Sequence, residues 1–215
     1  KTESFFKKLT TNDKIDYSRF NYFYATYLLN SNKIDQAKKV IKSSLKLYPR
    51  NLLINQYKID LNNNKNRTRF DCKKQAHVVA EILYITANAL SSQSIYKFSN
   101  FYLNLAKYLN NEFYSFDALL AENFYKIGNY KKAKKIYNNM EKHGESFLWH
   151  AAKQNTKILI KENKKEKAFK LMDSAYKKLL EKNVYEKFDY AFFLKNNEKF
   201  KESIQLYTEI MKMIN

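Results

Sequence analysis

Leu119-Leu-Ala-Glu-Asn-Phe-Tyr-Lys-Ile-Gly-Asn-Tyr-Lys-Lys-Ala-Lys-Lys-Ile-Tyr137 is the stretch whose reading decides the fold. A lone glycine separates two segments with apolar residues at helical spacing, which describes a helix, a turn and a second helix. Working outward, the small residue Ala133 that opens the lysine-rich second half has counterparts at Ser99, Ala168 and Ser203, at steps of 34, 35 and 35 residues. A period of this length in a helical sequence points to stacked helix–turn–helix units. Such a chain is an extended scaffold that offers surface rather than enclosing an active site.

Two helices that cross closely need small side chains at fixed places. Numbering the units from Ala80, Tyr114, Trp149 and Val184, the eighth position is Ala87, Ala121, Thr156 and Ala191. The twentieth is Ser99, Ala133, Ala168 and Ser203. Large residues stand at the eleventh (Leu90, Phe124, Leu159, Leu194) and the twenty-fourth (Leu103, Tyr137, Met172, Tyr207). Small against large at these spacings lets helix pairs interlock.

The pattern resembles the tetratricopeptide repeat. The clearest unit has that family's small residue (Ala121), turn glycine (Gly128), aromatic before the second helix (Tyr130) and second alanine (Ala133). A fifth unit begins near Ser18, with Ala25, Leu28, Ile34, Ala37, Ile41 and Pro49 at matching places. Lys165 and Met140 depart from the pattern, and Pro49 is the only unit-ending proline. Val79–Leu109 also resembles stretches of larger bacterial repeat proteins, so a bacterial source is expected. The resemblance implies an all-α fold, a right-handed superhelical solenoid of antiparallel helix pairs. The expected organisation is residues 1–62 with one clear repeat (18–50) and a partial one, a polar loop at 63–72, and four units over 73–215 (80–113, 114–148, 149–183, 184–215). Ala37 and Ser99 are 62 residues apart, six short of two 34-residue periods, and the deficit falls in the polar run Asn62–Arg69. That implies a degenerate unit: a helix over 51–61, a loop, and a helix beginning near Lys73.

Composition narrows the function classes. With 45% hydrophobic residues among 215, the chain can bury a sizeable core, and only 2 Gly and 1 Pro argue against hairpins and an all-β fold. No apolar run approaches the length needed to span a bilayer. Cys72 stands alone, which rules out an internal disulfide and leaves cytosol and periplasm both open. The chain begins at a lysine without a leader and is expected to be a piece of something longer.

The formal net charge of +19 suggests nucleic acid or anionic lipid. Yet the positive charge is nearly all lysine, the arginines being Arg19, Arg50, Arg67 and Arg69. Abundant Lys, Asn, Ile, Tyr and Phe with scarce Gly, Pro and Arg is also what an AT-rich coding sequence produces. Arginine, which reads phosphates bidentately and stacks on bases, is what the chain lacks. Most of its 18 tyrosines and 16 phenylalanines fall on core positions of the repeat rather than forming a stacking platform for single strands.

Catalytic signatures are missing. Gly128 and Gly144 are isolated and mark turns rather than a phosphate loop. His77, His143, His150 and Cys72 lack metal-ligand spacing, and Glu162 and Glu166 are flanked by lysines that make them ordinary ion-pair partners. The expectation is a protein that is not an enzyme and needs no cofactor or metal.

In the family that the chain resembles, the first helix of each unit lines a groove with its second, fifth, ninth, twelfth and thirteenth positions. This implies a partner-facing set of Glu81, Tyr84, Asn88 and Ser92 (with Ser91), then Glu122, Tyr125 and Lys126 (with Ser115 and Ala118). It continues with His150, Lys153, Lys157 and Lys161, and ends with Phe188, Phe192 and Lys195. The lysines at 153, 157 and 161 share one helix face and suit an acidic segment; Phe188 and Phe192 are one turn apart and would anchor an apolar side chain or pack under a following helix. The implied role is an interaction scaffold that binds a peptide or helix of another protein. Alternatives are a basic RNA-binding repeat and a purely structural segment that self-associates through its ends.

Overall fold

Helix follows helix along the chain: α1 (Thr2–Leu9), α2 (Ser18–Asn30), α3 (Ile34–Leu47), α4 (Leu52–Asn62), α5 (Gln75–Ser92) and α6 (Tyr96–Leu109). Then come α7 (Ser115–Lys126), α8 (Tyr130–Met140), a 3-10 turn (Glu141–His143), α9 (Glu145–Lys161), α10 (Lys165–Lys178), α11 (Val184–Asn196) and α12 (Phe200–Ile214). The structure, a computed structural model, describes residues 2–10, 16–65 and 69–214, and these include no strand. The protein is all-α, with neighbouring helices packed in pairs. Residues 66–68 of the polar run, Arg67 among them, lie outside the described residues.

One turn recurs and explains the pairing. α2, α4, α5, α7, α9 and α11 all stop at a residue in the left-handed region, two positions past the helix: Asn32, Asn64, Ser94, Gly128, Asn163 and Glu198, with φ between 53° and 77°. The next N–H reaches back five residues to a carbonyl of the last helical turn, as in Lys33→Leu28 (2.8 Å), Lys65→Asp60 (2.8 Å), Ile95→Leu90 (2.9 Å) and Asn129→Phe124 (2.8 Å). Lys164→Leu159 (2.8 Å) and Lys199→Leu194 (3.0 Å) complete the set. This is the Schellman arrangement, which satisfies carbonyls the helix end leaves open. Past five of these turns a new helix starts two residues on and folds back. Past Asn64 none starts, among the described residues, until Gln75. α4 is therefore a first helix without its return helix, and it packs on α2 and α3.

The small positions do what close crossing requires. Ala87, Ala121, Thr156 and Ala191, with Ser99, Ala133, Ala168 and Ser203, are all at most 3% exposed. In two pairs the approach is close enough for a hydroxyl to bond a backbone carbonyl: Ser99 to Ala87 (2.7 Å) and Ser203 to Ala191 (2.9 Å).

The chain divides into two compact units, Lys1–Phe147 and Leu148–Asn215, with the boundary inside α9. The first is centred on α2, whose Tyr22 and Phe23 meet Tyr57, Phe70 and Phe113 at ring separations of 4.3–6.0 Å. It holds residues from both sides of the polar run. Arg69 is pinned there by the Tyr114 ring at 4.8 Å, while its own carbonyl accepts the Asn110 amide at 3.0 Å. The second is built on Trp149, Met172, Tyr176, Tyr190 and Phe193. Among the described residues no helix is long and apolar enough to cross a membrane.

Candidate functional site

Four elements of the first unit turn one end or one face toward a shared cavity of about 520 Å³. α2 brings Arg19 and Phe20, with Asp16 just before it; the start of α4 brings Asn51, Leu52 and Leu53; α5 brings Tyr84, Ile85 and Asn88; α7 brings Ser115 and Ala118. Phe147 closes it. α5 presents its three as neighbours on one helix face, since residues 84, 85 and 88 lie within about one turn. Asn51 sits here because it caps α4, its side-chain oxygen accepting from the Ile54 N–H at 3.1 Å. Asp16 is held likewise by the Ser18 N–H at 2.8 Å.

Arg19 orders the α5 wall. Its guanidinium grips the Glu81 carboxylate with two donors, Nε to Oε1 and Nη2 to Oε2 (2.6 Å), and its Nη1 donates to the Ser115 hydroxyl at 3.1 Å. The Tyr84 ring lies over it at 3.7 Å, and Phe113 and Phe116 at 4.8 Å and 5.5 Å. A planar cation between a carboxylate and an aromatic face fixes both, so Tyr84 reaches the cavity in one orientation. The cavity mixes apolar walls (Phe20, Leu52, Leu53, Ile85, Phe147) with amide and hydroxyl groups (Asn51, Asn88, Ser115). Its cation is already matched by Glu81. What it offers a ligand is shape, apolar surface and neutral hydrogen-bonding groups.

Of the residues expected to face a partner, Tyr84, Asn88, Ser115 and Ala118 come together here. Glu81 does not: it is 8% exposed and committed to Arg19. Ser91 is likewise used internally, its hydroxyl donating to Asn123 Oδ1 (2.6 Å), while Asn123 Nδ2 donates to Ser99 (2.7 Å). That buried relay ties α5, α6 and α7. Ser92 is exposed and donates to the Ala89 carbonyl at 2.7 Å. Glu122 and Lys126 are exposed further along α7, and Tyr125 is half-buried with its ring 5.6 Å from Tyr130.

In the second unit the basic stripe is partly neutralised. Lys153 bonds Asp189 of α11 at 2.5 Å and stands 5.8 Å from the Trp149 ring. Lys157 and Lys161 are exposed at the end of α9. His150 is held neutral: burial, then the charges of Lys153 and Lys157, bring its pKa down to about 4. Phe188 and Phe192 stand on α11, 44% and 51% exposed, with Phe188 edge-on to Tyr207 at 5.8 Å, and Lys195 is exposed beside them.

Arg19 and Asn123 carry more of this geometry than their places in the repeat announce. The signal for Arg19 was its rarity, one of four arginines among 40 basic residues. Against known proteins, no family model matches the chain and no curated protein is a significant match to it.

Proposed function

We propose that the chain is a helical-repeat scaffold of the tetratricopeptide type, and that the first unit's cavity receives an extended or helical segment of another protein. One observation carries the reading. The inner-face residues implied by the repeat register, Tyr84, Asn88, Ser115 and Ala118, line the same cavity, together with apolar residues from α2 and α4. A preformed cleft with a few aromatic and aliphatic walls and neutral polar groups suits an apolar side chain flanked by backbone. Because Asp16 is the lining carboxylate and Arg19 is matched by Glu81, the favoured segment is neutral at its anchor rather than acidic.

A displayed library of random peptides, panned against the protein, tests this. Enriched peptides are expected to share an apolar anchor and to lose at least about tenfold in affinity for Asn88→Ala or Ile85→Glu. Both residues are exposed, so neither substitution threatens the core. Failure to enrich any peptide, or equal binding by both variants, removes the cavity as the site.

A further inference from the structure

One helix face departs from the rule that the rest of the chain obeys. In the second helix of each pair, the residues just before the small position and three, seven and ten beyond that point to solvent. α8 places Lys132, Lys135 and Asn139 there, and α10 places Lys167, Lys170 and Lys177, all exposed. α6 places Phe98, Phe101, Leu105 and Tyr108, which are 62%, 58%, 38% and 86% exposed. The same register is polar elsewhere too: Gln36, Lys39, Ser43 and Lys46 on α3, and Glu202, Gln205, Glu209 and Lys212 on α12.

Charge withdraws from the whole hairpin. Between Gln75 and Ala106 the ionised residues are Glu81 and Lys97, in a chain of net charge +19. Glu81 is matched by Arg19, and Lys107 just beyond is matched by Asp117. Lys97 is the one exposed charge that the hairpin between Gln75 and Ala106 offers a charged partner. A second copy of the chain, which would otherwise be repelled, meets it here at the least cost.

The spacing selects the geometry. Residues 98, 101, 105 and 108 follow a three–four–three rhythm, the seam of a helix pair whose side chains interlock. They are also symmetric about Leu103, which is fully buried, so all four lie on the side of α6 opposite the core. A pattern that reads the same in both directions superposes on itself under a two-fold axis, as an isologous contact requires. Antiparallel docking also sets the exposed Lys97 of one copy near the C-terminal end of the other's α6, where the helix dipole favours a cation.

We propose that α6 is a self-association face on which two copies of the chain dock as antiparallel helices, Phe98 against Tyr108 of the second copy and Phe101 against Leu105. Three aromatic rings and a leucine at these exposures give about 1,000 Å² of surface buried over both copies, near the lower bound for a specific interface. The dimer is therefore reversible and concentration-dependent. It engages a surface separate from the cavity, so neither reading depends on the other.

Sedimentation equilibrium of the full chain is the test. Wild type is expected to pass from monomer to dimer across the micromolar range, and added salt should tighten the dimer by screening repulsion between two +19 bodies. The double variant Phe101→Lys with Leu105→Asn, which copies what α8 carries at these places, should weaken association at least about tenfold while circular dichroism and melting stay unchanged. On a Cys72→Ser background, Phe98→Cys protein mixed with Tyr108→Cys protein should form a disulfide-linked dimer under mild oxidant, and Phe98→Cys protein alone should not. A chain that stays monomeric at every concentration overturns the proposal. So does a dimer insensitive to the double variant, one lost on Ile82→Glu instead, or cross-linking of Phe98→Cys to itself.

Discussion

Arg19 shows how one side chain can set a surface. Its charge is 17% exposed and that of Glu81 10%, so each depends on the other for what water would have supplied. Removing one partner strands the other, whereas replacing both with apolar residues of similar size removes the burden along with the bond. Glu81→Gln is therefore expected to lower stability by about 3 kcal/mol in urea denaturation, and Arg19→Met combined with Glu81→Met to recover more than half of that. If Glu81→Gln costs nothing, the pair does not organise the α5 wall. The residue scale is also where reading the chain reached its limit. Ala87, Ala121, Ala133 and Ala168 could be located as buried small residues because their identity and spacing reflect a local demand, the closeness of two helices adjacent in sequence. Glu81 was expected on the partner-facing register with Tyr84 and Asn88, yet it is 8% exposed and bonded to Arg19. What stands opposite it comes from α2, 62 residues earlier. A repeat describes the helix that carries a residue and is silent about the distant side chain that claims it.

At the scale of elements, the turn is the repeated object. Gly128 was recognisable as a turn because glycine enters the left-handed region without steric cost. Asn32, Asn64, Ser94, Asn163 and Glu198 occupy the same place with φ of 53–63°, and there the sequence speaks more softly. Asparagine tolerates this conformation and is common elsewhere in the chain; glutamate gains nothing from it. Glu198 is exposed and joins α11 to α12. Glu198→Gly is accordingly expected to stabilise the protein by about 1 kcal/mol, read as a rise in melting temperature, while Gly128→Ala is expected to lose a similar amount. A destabilised Glu198→Gly protein would mean that the glutamate side chain contributes more than its backbone strain removes. The same turn accounts for the six-residue deficit between Ala37 and Ser99. α4 ends on the first-helix signal at Asn64, and the return helix is what is missing. The count exposed the gap; the turn identifies which helix was lost.

At the scale of the whole molecule, the question is whether a net charge of +19 is a binding instrument. The placement of arginine argues that it is not. Arg19 is enclosed by Glu81, Tyr84 and Phe113, and Arg69 lies 8% exposed beside Asp60 and Tyr114, so these two forks are turned inward. Arg50 is exposed, but most exposed cations among the described residues are lysines, many of them on the outer faces of α3, α8 and α10, helices whose opposite sides build the core. Lysine ammoniums attract a polyanion through its atmosphere but do not read a base edge or clamp a phosphate in one orientation. Nor do the exposed aromatics of α6 supply a reading platform: Phe98, Phe101 and Tyr108 stand on a hairpin whose ionised residues between Gln75 and Ala106 are Glu81 and Lys97. Binding of labelled single-stranded RNA is thus expected to be detectable at low salt, indifferent to sequence, and lost by about 0.2 M salt along the steep log–log slope of counterion release. Fluorescence anisotropy across a salt series with two unrelated sequences measures this directly. Submicromolar affinity that survives at physiological salt and distinguishes the two sequences would make the lysines an interface, and the protein-binding reading of the cavity would then have to share the molecule with it.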